Sequence, residues 1–391
     1  MKLIVTGGAG FIGSAVVRRA VGEGRQVVNL DALTYSASLE NVASVAGDPG
    51  YAFEHADICD AAAVAAVFER HQPDAIMHLA AESHNDRAID GPIDFVRTNV
   101  LGTAVLLEAA RLYWSALPPG RREAFRFHHV STDEVFGALG ESGAFSEATP
   151  YDPSSPYSAS KAGADHLVRA WGRTFGLPVV ITNCANNYGP FQFPEKLIPT
   201  VVVRALEGKT IPVYGDGRQV RDWLHVDDHA EALLTVLDRG RLGETYCIGG
   251  DSTRRNIEIV RMLCEALDRY APANTPHAEK ITFVADRPGH DFRYDVDASK
   301  IRDELGWTPR TPVPQGLDET VRWYVENQAW WQAIRDRGFA SERQGLPGAC
   351  ALRGRGLCRA VLQGAEVPAD RPVQYDREDR TRERDRKRRQ E

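Results

Sequence analysis

The sequence is short of several things, and each shortage removes a class of function. No stretch approaches the roughly 20 consecutive apolar residues of a membrane span, so no membrane role is expected. The six cysteines among 391 residues form no CxxC pair, and Cys350 and Cys358 have no histidine partners nearby. Reduced, structural thiols in a cytoplasmic protein are expected, with no metal. Positive charge is not in excess. The formal net charge is −7 and the pI about 5.9, which argues against a nucleic-acid partner. The opening "MKLIVTGG" enters a strand pattern at once, so no signal peptide is expected.

What is present is ample apolar material, 43% of residues, enough for the core of one large or two coupled domains. Strand-like runs ("KLIVT", "QVVNLD", "YAFEHADI", "DAIMHLA", "FRFHHVST", "PVVITNCANN") alternate with helical stretches ("FIGSAVVRRAVGEG", "DAAAVAAVFERH", "DFVRTNVLGTAVLLEAARLYW", "PYSASKAGADHLVRAWGRTFG"). The alternation predicts an α/β fold with a Rossmann-type doubly wound parallel sheet. Residues 1–188 carry most of that sheet. From 189 to 335 the rhythm loosens, with short strands at "IPVYG", "TYCIGG" and "ITFVAD", and a smaller C-terminal substrate-binding lobe is expected. Residues 341–391 hold 13 Lys+Arg against 9 Asp+Glu, interleaved and without apolar periodicity. The 340–391 tail is therefore expected to be disordered.

Three constellations carry chemistry. "TGGAGFIG" places Gly7, Gly10 and Gly13 between the first strand and first helix, where a tight turn and bare backbone can cradle a pyrophosphate. Asp31 ends the second strand and suits ribose hydroxyls, which favours NAD over NADP. Further strand ends put Asp57 and Ile58 near an adenine and Leu79, Ala80 and Ala81 beside the cofactor. "PYSASK" spaces Tyr157 and Lys161 four apart, on one helix face. The lysine, together with a positive nicotinamide, is expected to lower the phenol pKa. "STDEVFG" sets Thr132 and two adjacent acids, Asp133 and Glu134, at a strand end. Each pattern alone has an ordinary alternative: a glycine turn, an exposed Tyr–Lys pair, or turn-capping carboxylates.

Taken together, "TGGAGFIG", "LAAESH", "STDEVFG", "PYSASK", "NNYGPFQFPEKLIP" and "DRPGHD" resemble the extended short-chain dehydrogenase/reductase family, in its nucleotide-sugar-modifying branch. The Asp-Glu pair points within it to the nucleotide-diphosphate-glucose 4,6-dehydratases. The resemblance covers about residues 1 to 335. It implies NAD-dependent oxidation at C4, loss of water across C5 and C6, and hydride return to C6, with dTDP-glucose as the expected substrate. Another nucleotide-sugar 4,6-dehydratase, a 4-epimerase and a non-catalytic NAD-binding scaffold are the alternatives.

By the same resemblance Thr132 polarises O4, Asp133 is the acid toward O6, Glu134 the base at C5, and Tyr157 the base at O4, with Lys161 beside it. Phe11, Ile12, Leu33, Thr34, Thr98 and Asn187 join the cofactor site. Ser83, Asn186, Lys196, Leu197, Pro212, Val213, Tyr214, Arg221, Asn256, Asp286, Arg287, Pro288, Gly289 and His290 face the substrate. A homodimer through a four-helix interface, built from helices around 93–115 and 157–176, is implied too. Ala32, Asn85, Phe136 and Cys247 depart from the family pattern.

Overall fold

In the computed structural model, which describes residues 1–286 and 290–336, the first half of the chain alternates as its pattern requires. Strand β1 (Lys2–Thr6) leads to helix α1 (Phe11–Gly22), then β2 (Gln26–Asp31), β3 (Tyr51–His55), α2 (Ala61–His71) and β4 (Ala75–His78). Two short helices, α3 (Asn85–Asp90) and α4 (Pro92–Phe95), precede α5 (Thr103–Ser115) and α6 (Pro119–Ala124). Then come β5 (Arg126–Thr132), α7 (Pro156–Phe175) and β6 (Val179–Cys184). Local chemistry sets the helix ends. Asp60 accepts the N–H groups of Ala62 and Ala63 at the start of α2, and Ser155 and Ser158 form a capping box ahead of α7, with Pro156 in its first turn.

The helix expected over 93–115 is interrupted. Val96–Gly102 forms a wide π-turn between α4 and α5. The Asn99 side chain bonds both backbone groups of Glu82 and the Ser160 hydroxyl, while Thr103 Oγ1 donates to the Asn99 carbonyl. The extra residue in the turn thus aims a buried amide at the Glu82 backbone and at α7.

The expected strand "PVVITNCANN" also breaks, at Ala185. Asn186–Tyr188 is a separate strand, β7, followed by α8 (Leu197–Leu206), β8 (Ile211–Tyr214), β9 (Val220–His225), α9 (Val226–Arg239) and β10 (Thr245–Ile248). Next are β11 (Thr253–Arg255), α10 (Asn256–Tyr270), β12 (Ile281–Val284), α11 (Ser299–Leu305), α12 (Val313–Glu326) and α13 (Gln328–Asp336). The main sheet has the order β10-β6-β5-β4-β1-β2-β3, with every pair parallel. The "TYCIGG" strand, expected in the smaller lobe, is instead the seventh strand of this sheet, because its buried run Tyr246–Ile248 pairs with β6. Two smaller sheets, β11-β9-β7 and β12-β8, stand apart from it.

Both faces of the main sheet are covered. Leu3, Val5, Val27 and Met77 pack on α1 and α9, while Ile4, Val28, Leu30 and Ile76 pack on the α2, α5 and α7 side. That alternation follows the two-residue period of a strand. Each such side chain contributes about 1.5–3 kcal/mol when fully buried. A second core joins α8, β8, α10 and α12 around Val201, Ile211, Leu263 and Tyr324. Arg287, Pro288 and Gly289, expected at the substrate site, lie outside the described residues, as do the 340–391 tail, Cys350 and Cys358.

The order of the strands reverses between β1 and β4, which opens the crevice where ligands bind in such sheets. The second core roofs that crevice, so its integrity bears on the site. Leu263 is fully buried there. Leu263→Ala is expected to lower the free energy of urea unfolding by about 2–5 kcal/mol.

Candidate active site

The carboxyl ends of β1 to β6 and the roof enclose a cleft of about 710 Å³. At its floor Gly7 adopts φ +71°, and a Cβ on it would come within 2.8 Å of the Ala80 backbone. A Cβ on Gly13 would meet the Gly7 carbonyl oxygen at 2.1 Å. The turn therefore closes only with glycine at both places. Gly10, Phe11 and Ile12 line the cleft between them. Asp31 ends β2 and accepts N–H groups from Ala9 at 2.9 Å and Leu33 at 2.8 Å. Burial raises its carboxyl above the ordinary value, and those two bonds only moderate the rise. Thr34, Asp57, Ile58, Leu79, Ala80, Ala81 and Thr98 complete this half of the wall. Leu33 does not line it; its part is the backbone bond to Asp31.

The chain leaves β5 at Thr132 and turns at once into a tight 3₁₀ segment, Asp133–Phe136. Thr132 Oγ1 caps that turn through the Glu134 N–H at 3.3 Å. In a strand, neighbouring side chains point to opposite faces; this turn lets Asp133 and Glu134 both reach the cleft. Asp133 is 1% exposed, and its Oδ2 has no hydrogen-bond partner. Burial first, and Glu134 beside it second, push its carboxyl well above the usual range. Glu134 sits at the surface of the cleft, and its Oε2 accepts from Asn85 Nδ2 at 3.0 Å. Phe136 lies beneath the turn, stacked on Phe145 at 5.2 Å and edge-on to Tyr151. Its place is in the packing, off the cleft wall.

Tyr157 and Lys161 share one face of α7 and both line the cleft. The Tyr157 phenol is set by the protein groups around it. Burial and the charge of Glu134 push it up, eased only by Thr132. Lys161 Nζ is 2.9 Å from the Val130 carbonyl, and burial lowers the lysine below its ordinary value against the opposing pull of Asp165. Asp165 is fully buried one turn further on. It accepts from Ser131 Oγ at 2.9 Å and Tyr151 Oη at 2.8 Å, and pairs with His129 Nε2 at 3.1 Å. Burial alone would raise it, yet His129, Lys161 and Tyr151 together hold it below the ordinary carboxylate value. Burial pushes His129 down to about 4, so a neutral imidazole makes that contact. Cys184 also lines the cleft, but burial pushes its thiol up and keeps it protonated.

The roof supplies the remaining side chains. Asn186 keeps a buried Oδ1 without a partner, while Asn187 Oδ1 meets His229 Nδ1 at 2.8 Å. Lys196 Nζ donates to the Ser83 carbonyl at 2.6 Å, and Leu197 follows it into α8. The Arg221 guanidinium is oriented by the carbonyls of Val220, Asp291 and Phe292 and lies 4.2 Å over the Tyr294 ring. Tyr214 Oη donates to Asp86 at 3.0 Å. Asn256, whose Oδ1 is buried and unpartnered, opens α10. Strand alternation turns Pro212 and Tyr214 to the cleft and sends Val213, 1% exposed, into the second core. Asp286 is likewise off the wall; it bonds Gln219 Nε2 at 2.7 Å and His290 Nδ1 at 2.6 Å, and His290 lines the cleft.

Sequence reasoning passed over Asn99, Asp165, Glu195 and Tyr294. Asp165 continues the four-residue spacing of Tyr157 and Lys161, a signal that was available. Glu195 stands inside the quoted "PEKL". Asn99 and Tyr294 gave no comparable signal, since their roles depend on a π-turn and a distant loop. Among the described residues no group of three His, Cys, Asp or Glu side chains could hold a metal ion, and no helix is long and apolar enough to cross a membrane.

With this geometry in place, similarity to known proteins is informative. A family model described as GDP-mannose 4,6 dehydratase matches residues 4–320. A dTDP-glucose 4,6-dehydratase of Shigella flexneri is 56% identical over 351 residues, 87% of this chain and 97% of that protein. Its namesake in Xanthomonas campestris pv. campestris (strain B100) is 58% identical over 344 residues, 88% and 98% of the two chains. Among solved structures, the dTDP-glucose 4,6-dehydratase of Streptomyces venezuelae with NAD bound has a TM-score of 0.79 at 46% identity, covering 85% of this chain and 100% of that one. A UDP-glucose 4-epimerase from Thermotoga maritima has a TM-score of 0.74 at 27% identity, covering 84% and 100%.

One carboxylate of the wall yields a stability test. Glu195 accepts from Tyr35 Oη at 3.0 Å, and burial pushes it up to about 7. The native state therefore holds this proton more tightly than the unfolded chain does. The resulting stabilisation is present below about pH 4.5 and is lost as pH rises through about 7. Glu195→Gln is expected to remove that component. Urea unfolding at about pH 5 and pH 8 should show the wild type losing up to about 3 kcal/mol more than the variant.

Proposed function

The chain belongs to the GDP-mannose 4,6 dehydratase family, and on that premise we propose that it dehydrates dTDP-glucose to dTDP-4-keto-6-deoxyglucose with NAD as cofactor. The observation that carries the reading is the pair at the end of β5. A buried carboxyl with one unpartnered oxygen, Asp133, adjoins a carboxylate at the cleft surface, Glu134. An elimination needs such an acid and base at neighbouring carbons. Epimerisation at C4 needs neither.

The floor of the cleft suits NAD. A Cβ on Gly10 would meet only the Gly7 carbonyl, at 3.2 Å, so bare backbone faces the cleft there. Asp31 makes no ion pair among the described residues and has two backbone partners. Ribose hydroxyls can answer the remaining charge, whereas a 2′-phosphate would be repelled. Bound NAD supplies the hydride acceptor for C4, the hydride later returned to C6, and a positive charge that favours the Tyr157 phenolate.

The side chains then handle the protons. Tyr157 Oη takes the proton of the C4 hydroxyl while Thr132 Oγ1 steadies that oxygen. With C4 a ketone, the C5 proton is acidic, and Glu134 removes it. The C5–H electron pair becomes the C5–C6 double bond as the C6–O bond breaks. Asp133 gives its proton to the leaving hydroxyl, which departs as water. When hydride returns to C6, Glu134 returns its proton to C5. Lys161 keeps a positive charge beside Tyr157, balanced by Asp165 behind it. Asn186, Lys196, Arg221 and Asn256 are the side chains best suited to the nucleotide diphosphate, and Arg221 in particular arrives with its guanidinium already oriented.

Two copies are proposed to associate through α4, the π-turn, α5 and α7. Ile93, Val96, Leu101, Leu112 and Phe175 are exposed along those elements, at 69%, 49%, 53%, 57% and 45%. Such a stripe suits burial against its symmetry mate. The four described cysteines are free, which supports a reducing, cytoplasmic setting.

Incubation with dTDP-glucose should yield a 4-keto-6-deoxy product; release of a C4 epimer alone would overturn the reading. Glu134→Gln is expected to oxidise C4 and then stall, with reduced nicotinamide accumulating and product formation down about 10²- to 10⁴-fold. Leu101→Arg should shift the sedimentation equilibrium toward monomer, and an unchanged mass would remove the proposed interface.

A further inference from the structure

We propose that Asn85 is a positioning residue for the elimination step, holding the Glu134 carboxylate in place and tying it to the start of the helix that bears Tyr157. This rests on the dehydratase reading above, in which Glu134 removes the C5 proton. Asn85 is the first residue of α3. Its Nδ2 donates to Glu134 Oε2 at 3.0 Å, and its Oδ1 accepts from Ser155 Oγ at 3.2 Å. Ser155 is the N-cap of α7, two residues before Tyr157, and its hydroxyl also accepts the Ser158 N–H at 3.0 Å. One amide thus spans the base and the cap of the catalytic helix.

The orientation of the amide is determined by its surroundings. Reversing it would set the carbonyl oxygen against a carboxylate, which can only accept. The amide is also neutral. A lysine or arginine at this position would bind the carboxylate more strongly and weaken it as a base, whereas an aliphatic side chain would give it no bond at all. Asn85 occupies one oxygen, and Glu134 Oε1 is left without a hydrogen bond among the described residues, free to take a proton. Asp133 makes no bond to Asn85; its Oδ1 accepts from Thr132 Oγ1 at 3.2 Å. The two adjacent acids are thereby told apart, since one is buried with an unpartnered oxygen and the other is held at the cleft by a neutral donor. Proton abstraction from carbon demands close alignment, so a small loss of orientation acts on that step first.

The test separates the two halves of the reaction. Asn85→Leu and the smaller Asn85→Ser are prepared as holoenzymes and mixed with dTDP-glucose in D₂O. Near-ultraviolet absorbance of the reduced nicotinamide reports C4 oxidation, and mass spectrometry reports deuterium entry at C5 and product formation. Oxidation should stay within about twofold of wild type and doubles as the control for folding. Elimination should slow about ten- to a hundredfold, the weight of one hydrogen bond to a charged group, and reduced nicotinamide should build up. Asn85→Asp places a further negative charge against Glu134 and should move the acidic limb of the elimination pH profile to higher pH, which a purely structural role would not do. Equal loss of oxidation and elimination, or loss of neither, in a wild-type enzyme that dehydrates dTDP-glucose overturns this inference alone. A wild-type enzyme that oxidises C4 and never loses water overturns the dehydratase reading, and the inference falls with it.

Discussion

An ammonium sealed from water needs a negative charge within reach, and Lys161, 4% exposed, finds it in Asp165, one turn along the same helix. The rest of the site depends on this balance of buried charge, which acts without a direct ion-pair contact. Asp165 is fully buried and is gripped from β5 by Ser131 and His129, from β6 by Asn183, and from the loop before α7 by Tyr151. A slip of the helix along the sheet would strand two buried charges, each at a cost of several kcal/mol. The register of α7 on β5 is therefore fixed by electrostatics as well as by packing. Because β5 runs on into Thr132, Asp133 and Glu134, the same register decides where the phenol of Tyr157 meets them.

The two adjacent acids make sense only once the backbone geometry is known. In a continued strand they would point to opposite faces of the sheet, and one would be lost in the core. The 3₁₀ turn brings both to the same cleft, and Thr132 caps it. Their surroundings then separate them. Burial of Asp133, with Glu134 beside it, favours its neutral form. Glu134 meets a polar neighbour from α3. Phe136, stacked with Phe145 against Tyr151, braces the turn from below and connects it to the residue that bonds Asp165.

Much of this was legible in the sequence because it follows from short-range rules. Glycines at Gly7, Gly10 and Gly13, the four-residue spacing of Tyr157 and Lys161, and the alternation of apolar runs each have a local meaning. The misses share a different character. Val213 was assigned to the substrate and lies in the core, because only the register of β8 tells its two faces apart. Asn99 reaches the Glu82 backbone behind the cleft wall through a π-turn that no periodicity announces. In each case the decisive partner is far away in sequence or depends on solvent exclusion, and neither leaves a trace in a residue's neighbours.

The return of β10 to the main sheet has a consequence for how the protein is made. Strands β1 to β6 are complete by residue 184, but β6 gains its outer neighbour only when Thr245–Ile248 arrives. Helix α9, which covers α1, also follows β9 in the chain. A nascent chain that has emerged only as far as β6 therefore carries an unpaired sheet edge and an uncovered apolar helix face, the features that invite mispairing with other chains. The cofactor cradle is written in the first fifteen residues, yet its scaffold cannot close on the ribosome until the segment that roofs the substrate has been synthesised too.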